Sequence, residues 1–431
     1  MGKSSMADVS PSVSSRFEFL ADSFPRLGVG GAIGAGFLIT ALQILVACMV
    51  SGQSQPARAY ATLCAWDGGW YAGIVHDGYR SPPLLTEKEY GNVAFFPGYP
   101  LAAQSIRLLF GLSIETALLV TAQLACVGMW TFFLLHLRRR RIPPGLAAVA
   151  ILLVLVHPAA FFLVASYTES LFLFALLGFL YWADRDQAAA FVFACGFGIL
   201  MTATRLVGVP LAVYPLFRAW LCRTRGGDPA KRWGWQQAVR PLLIGSITML
   251  GALSFFAYCH FRFGHWDIYM KTEEVGWGVH PDYFALFSER IFHIHWPSLH
   301  EPGGDGEFLS RLSVPLTVIL FAVFLIFEWR HRRVDPESGW RERAGYYLCA
   351  ALMFYICVSG HGTRGMSSMV RFALPVQVML VLAGTDFARS AWEQGRFDSR
   401  RALVSLIAWC TLSLACQLGM TYRFTHWLWV A

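Results

Sequence analysis

Apolar runs recur along this chain with short polar connectors between them. Runs near 29–51, 114–137, 145–163, 168–183, 239–261, 310–329, 344–360, 371–388 and 402–424 approach the ~20 residues that carry a helix across a bilayer core. The stretch 188–221 is flanked by "DRDQ" and "CRTRGG", both of cytoplasmic character, so it crosses an even number of times. Two short helices meeting near "ATRLVG" satisfy this, with Gly208 and Pro210 marking the turn. The pattern predicts an all-α polytopic membrane protein with about eleven transmembrane helices.

The segment 95–112, "FFPGYPLAAQSIRLLFGL", breaks the pattern: it opens with two prolines and carries Arg107 in its middle. Read as a crossing, it would put Arg138 to Arg141 outside. Read as an amphipathic helix in the outer interface, it leaves every arginine cluster inside, as the positive-inside rule requires. That threading gives a cytoplasmic tail over 1–27, expected to be disordered, and a single membrane domain over 28–424. A long first outer loop with interfacial helices spans 52–113, a second large outer loop spans 262–309, and 425–431 form a short outer tail.

Composition sharpens the class. Of 431 residues, 56% are hydrophobic and only 14% charged, against ~25% charged in soluble domains; the mean hydropathy is +0.48. The +8 formal charge sits in the connectors, at Arg138 to Arg141, Arg223 with Arg225, Lys231 with Arg232, Arg330 with Arg332 and Arg333, and Arg396 with Arg400 and Arg401. Such placement sets topology and argues against nucleic acid. The ten cysteines fall mostly inside apolar runs without CxxC pairs and read as small core residues. The outer histidines His265, His280, His293, His295, His300 and His361 show no recurring carboxylate partner, so no metal or other cofactor is assigned.

Candidate chemistry gathers in the outer segments. "CAWDGGWY" (64–71) sets Asp67 among Trp66, Trp70 and Tyr71. Two readings stand: a carboxylate capping a short interfacial helix inside an aromatic belt, or a base whose aromatic neighbours hold a sugar's C–H face. Asp77 follows in "HDGYR". Glu169, in "ASYTES", is either an acid of a helix first turn or a partner for sugar hydroxyls. Arg205, Arg364 and Arg371 face outward, either snorkelling to headgroups or meeting a phosphate.

The order "WDGGWYAGIVHDGYR … NVAFFPGYPL" (66–101) resembles the PIG-V family of mannosyltransferases, whose first lumenal loop carries a WDG motif, a "GY" and then "FFPG(F/Y)PL". "HPAAFFLVASYTESLF" (157–172) and "TATRLVG" (202–208) continue the likeness, which covers roughly residues 60–210. Beyond that only the architecture and "RF..P" (371–375) match. The "GGWY" after Asp67 departs from the eukaryotic members, and the acceptor does not carry over. The resemblance implies a multi-pass glycosyltransferase of the GT-C type, using a polyprenyl- or dolichyl-phosphate sugar as donor and a lipid, glycan or protein as acceptor. It implies Asp67 as the catalytic base, with Trp66, Trp70, Tyr71, Asp77, Glu169, Arg205, Arg364 and Arg371 as candidates for substrate binding.

Such a donor leaves as a phosphate without protonation, so the chemistry needs one base and cations but no paired acid. In-line attack with a single base inverts the anomeric centre. The rival reading is a non-enzymatic flippase or transporter of lipid-linked sugars, which calls for internal repeats and mid-membrane charges; no half-repeat is evident and the notable polar residues cluster on one face. The single asparagine, Asn92, is not in a glycosylation sequon, and the compact chain is assigned to a plasma membrane rather than the endoplasmic reticulum, with its site on the outer face.

Overall fold

The computed structural model describes residues 28–80, 91–223, 235–292, 305–334, 339–362, 366–393, 399–428 and 430. Helix α1 (Val29–Val50) leads through α2 (Pro56–Ala61) to α3 (Asp67–Asp77), α4 (Gly98–Phe110) and α5 (Ile114–Arg139). Then come α6 (Pro144–Leu155), α7 (Glu169–Ala183), α8 (Ala188–Thr204) and α9 (Tyr214–Arg223). The second half holds α10 (Trp235–Thr248), α11 (Leu250–Phe263), α12 (Ile268–Val275), α13 (Asp305–Val334), α14 (Trp340–His361), α15 (Met369–Glu393) and α16 (Ser399–Thr425). No strand occurs among the described residues.

Among the described residues seven helices are long and apolar enough to cross a membrane: α1, α5, the continuous pair α10–α11, α13, α14, α15 and α16. Four shorter apolar segments, 144–155, 169–183, 188–204 and 206–221, account for the remaining runs read from the sequence. Helix α4 has 13 residues, about 20 Å at 1.5 Å per residue and too short for a ~30 Å core. It buries Tyr99 and Ala103 against α5 and leaves Leu101, Leu108, Leu109 and Phe110 exposed. The expected tail over 1–27 lies outside the described residues.

The run 145–163 does not stay helical to its end. Helix α6 stops at Leu155, before His157 and Pro158, and a 3₁₀ turn over Ala160–Leu163 leads to α7. The whole stretch 159–173 is buried. Irregular backbone at such depth survives only where protein satisfies its polar groups. Gln43 of α1 donates to the Ala160 carbonyl and Gln123 of α5 to that of Val164, each at 3.4 Å. The Ser166 amide donates to the Leu63 carbonyl at 3.1 Å.

Two ionic poles cap the bundle. At one, Arg140 grips Asp386 with two hydrogen bonds, 2.7 and 3.1 Å, and fully buried Arg343 reaches both Glu328 (2.6 Å) and Asp386 (3.3 Å). Arg139 and Arg218 pair with Asp184 beside them. The other pole holds Asp67, Glu169, Arg205 and Arg371. Glu169 and Asp184 bracket α7, and Arg371 and Asp386 lie along α15; fifteen helical residues put each pair about 22 Å apart. The arginine clusters that are described thus gather at one end and the candidate site at the other.

Candidate functional site

Glycines in the motifs explain why distant segments meet. A Cβ at Gly68 would sit 2.2 Å from Ser166 Oγ, so only glycine lets the start of α3 lie against the "ASYTES" turn. A Cβ at Gly98 would stand 2.8 Å from both the Ala203 carbonyl oxygen and Thr204 Oγ1, so α4 begins directly against the end of α8. Tyr79 donates to the Phe95 carbonyl at 2.8 Å, which ties "GY" to "FFPG". The first loop, the 157–172 segment and the 202–208 segment are thereby locked together.

These contacts wall a cavity of about 360 Å³ at the second pole. Asp67 opens α3, where the positive helix end favours a carboxylate. Its side chain caps nothing; Asp67 Oδ2 accepts from Arg371 Nη1 at 2.6 Å, across 304 residues of sequence. The Asp67 amide donates to the Tyr167 hydroxyl at 3.3 Å. Burial, then the Asp67 charge, pushes the Tyr167 phenol well above its ordinary range. The Tyr71 phenol is raised in the same way, by burial and then by Asp67 and Glu169.

Glu169 begins α7, but no side chain caps that helix. Glu169 Oε1 lies 2.9 Å from Arg205 Nη1 and 3.4 Å from Arg371 Nε. Arg205 follows the last residue of α8 with an extended backbone and precedes a 3₁₀ stretch, Leu206–Val213, so the turn read from "ATRLVG" is where the chain puts it. Phe372 packs against both arginines, its ring centre 4.9 Å from the Arg371 guanidinium and 5.1 Å from that of Arg205. Pro375, inside α15, has no N–H for the Arg371 carbonyl four residues before it, which loosens the helix's first turn. The "RF..P" spacing therefore supplies a cation, an aromatic spacer and a weakened helix start.

Three of the five non-glycine residues with positive φ among the described residues lie here, while Arg141 is at the opposite pole. Trp66, Ser368 and Trp427 have φ of 55°, 64° and 59° without being glycine. Trp66 and Ser368 line the cavity, and Trp427 packs on Trp66 with ring centres 5.6 Å apart.

Of the residues singled out in the sequence, Trp66, Asp67, Tyr71, Arg205 and Arg371 line the cavity. Trp70 sits one layer back, stacked on Phe95 and edge-on to Trp277, which do line it. Glu169 lies behind the two arginines at 1% exposure. Asp77 ends α3, three turns from Asp67, exposed and paired with His76 and Arg80. Arg364 lies outside the described residues, as do His293, His295 and His300. Among the described residues no group of three or more His, Cys, Asp or Glu is gathered as a metal site.

Three further lining residues were not singled out in the sequence. Tyr269, Glu273 and Trp277, in and just after α12, face the cavity together with His361 from the end of α14. Tyr269 holds α12 in place by an edge-on contact with Phe96, ring centres 5.1 Å apart. The only signal for them was the density of aromatics and acids in "GHWDIYMKTEEVGW".

No family model and no curated protein matches the chain. Among solved structures the chain is similar to the oligosaccharyltransferase of Archaeoglobus fulgidus in its apo form, at 11% identity and a TM-score of 0.44. The alignment covers 90% of this chain and 55% of that one, so the chain spans about half the length of the structure it matches.

Proposed function

We propose that this protein is an integral-membrane glycosyltransferase that moves a hexose, mannose by its likeness to the PIG-V family, from a polyprenyl- or dolichyl-phosphate sugar to an acceptor hydroxyl on the outer face. One observation carries the reading. The first loop supplies an acid, the 202–208 turn and the start of α15 each supply an arginine, and all three face one cavity at the pole remote from the arginine clusters.

Asp67 takes the proton as the acceptor oxygen attacks the anomeric carbon. The new O–C bond forms as the carbon–phosphate oxygen bond breaks, and its electron pair leaves on a prenyl phosphate. Arg205 and Arg371 take up the charge that develops there. Protonation of the leaving group is not required, and one in-line displacement inverts the anomeric centre. Trp66 and Tyr71 offer ring faces and edges beside Asp67 for the sugar, and the phenol of Tyr167 fixes the Asp67 backbone.

The test is incubation of purified protein with polyprenyl-phosphate-mannose and membrane lipid extract, followed by mass analysis. A product heavier by one hexose, formed together with free polyprenyl phosphate, is expected. Movement of the intact donor across proteoliposome membranes with no new product would replace the transferase by a flippase.

A further inference from the structure

Glu169 is built unlike a stabilising ion-pair partner. Its side chain is 1% exposed, and a single oxygen, Oε1, serves guanidinium groups from two different segments, Arg205 at 2.9 Å and Arg371 at 3.4 Å. The other oxygen, Oε2, is buried and accepts no hydrogen bond from the described residues. Burying a carboxylate is costly, and leaving half its acceptors empty adds to that cost. A helix start needs no such arrangement, and the Glu169 side chain caps nothing.

The arrangement has a clear geometric effect. Two like charges share one cavity wall and would repel each other without a common counter-ion. With Oε1 between them and the Phe372 ring alongside, both guanidiniums are held within reach of one small anion. Arg371 also reaches Asp67 through Nη1, so the same wall links the phosphate side of the cavity to the carboxylate side.

We infer that Glu169 is a positioning residue that touches no substrate: it holds Arg205 and Arg371 as one clamp for a prenyl phosphate group. The inference rests on the donor class proposed above. It makes a prediction opposite in sign to simple charge. Removing a negative charge beside an anion site should tighten phosphate binding, whereas losing the clamp should weaken it.

The experiment measures binding of farnesyl phosphate and of farnesol to detergent-purified protein by tryptophan quenching, since Trp66 and Trp277 line the cavity. Glu169→Gln is expected to lose at least tenfold in affinity for the phosphate while farnesol binding stays unchanged. Glu169→Asp keeps the buried charge but falls short of both arginines, and a several-fold phosphate-specific loss is expected; it serves where Glu169→Gln elutes as aggregate. Combined with Arg205→Gln, the Glu169→Gln change should cost little more than Arg205→Gln alone, because both act through one clamp. Phosphate affinity equal to or above wild type in both Glu169 variants overturns the inference and leaves the donor reading standing. A wild type that binds farnesol and farnesyl phosphate alike overturns the donor reading and the clamp together.

Discussion

Arg371 donates to Asp67 at 2.6 Å, so in the ligand-free protein the candidate base is already engaged by a cation that also reaches the Glu169 wall. On the proposed function, an arriving phosphate would compete for that guanidinium, and what it draws from Asp67 would leave the carboxylate open to an acceptor proton. Asp67→Asn keeps size and some hydrogen bonding but cannot take the proton. Transfer should fall by ~10²–10⁴-fold, with prenyl-phosphate affinity retained and membrane insertion normal. Rate and affinity measured on the same preparation decide it; transfer within a few-fold of wild type would reduce Asp67 to a residue of the helix start.

Arg205→Lys should recover only part of what Arg205→Ala loses. A charge-assisted contact is worth roughly 1.5–3 kcal/mol, and lysine restores the charge without the planar fork. Donor affinity is the readout, with lysine falling between alanine and wild type. Equal transfer by all three proteins would move the phosphate site away from Arg205.

Gly68→Ala should destabilise by about 1–3 kcal/mol through overpacking, because its Cβ would meet Ser166 Oγ at 2.2 Å. Ser166→Gly in the same chain removes the clashing atoms and should return much of the thermal stability in detergent. If the single and double variants unfold alike, the α3 start is more forgiving than this contact implies.

At the opposite pole, Arg343→Ala takes the buried guanidinium from Glu328, while Asp386 keeps Arg140 and Arg389. Breaking a buried pair typically costs about 3–5 kcal/mol, so yield and thermal stability should drop. The affinity of the surviving folded fraction for farnesyl phosphate should not change, since the cavity lies about 22 Å away along α15. A phosphate-specific loss would show that the two poles are coupled.

Cysteines placed at Phe284, exposed beside the cavity wall, and at Arg141, in the arginine pole, test sidedness. An impermeant maleimide should label Phe284→Cys in intact cells and Arg141→Cys only after permeabilisation. The reverse pattern would turn the protein over and put its cavity inside.

Much of this was legible in sequence, and the gaps have physical causes. Seven of the apolar runs fall on helices long enough to cross a membrane and the rest on shorter ones, because length and hydropathy report burial in lipid directly. The turn at Arg205 was marked by Gly208 and Pro210. Glu169 was misleading alone: an acid at a helix start suits the dipole, and nothing local shows that its oxygen meets arginines 36 and 202 residues away. Asp77 follows Asp67 closely in sequence, yet a continuous α3 carries it three turns off. Tyr269, Glu273 and Trp277 come from a short helix and the turn after it, with no membrane periodicity; Tyr269 packs on Phe96 and Trp277 on Phe95.

The buried, irregular stretch between α6 and α7 has a consequence for how the chain is made. Its carbonyls at Ala160 and Val164 accept side-chain hydrogen bonds from Gln43 and Gln123, which belong to helices synthesised earlier. Until α1 and α5 stand beside it, this backbone has no acceptable place in hydrocarbon. The order of synthesis suits this, since both long helices precede residues 157–168 in the chain. Replacing both Gln43 and Gln123 with leucine should therefore lower the yield of folded protein although each span becomes more hydrophobic.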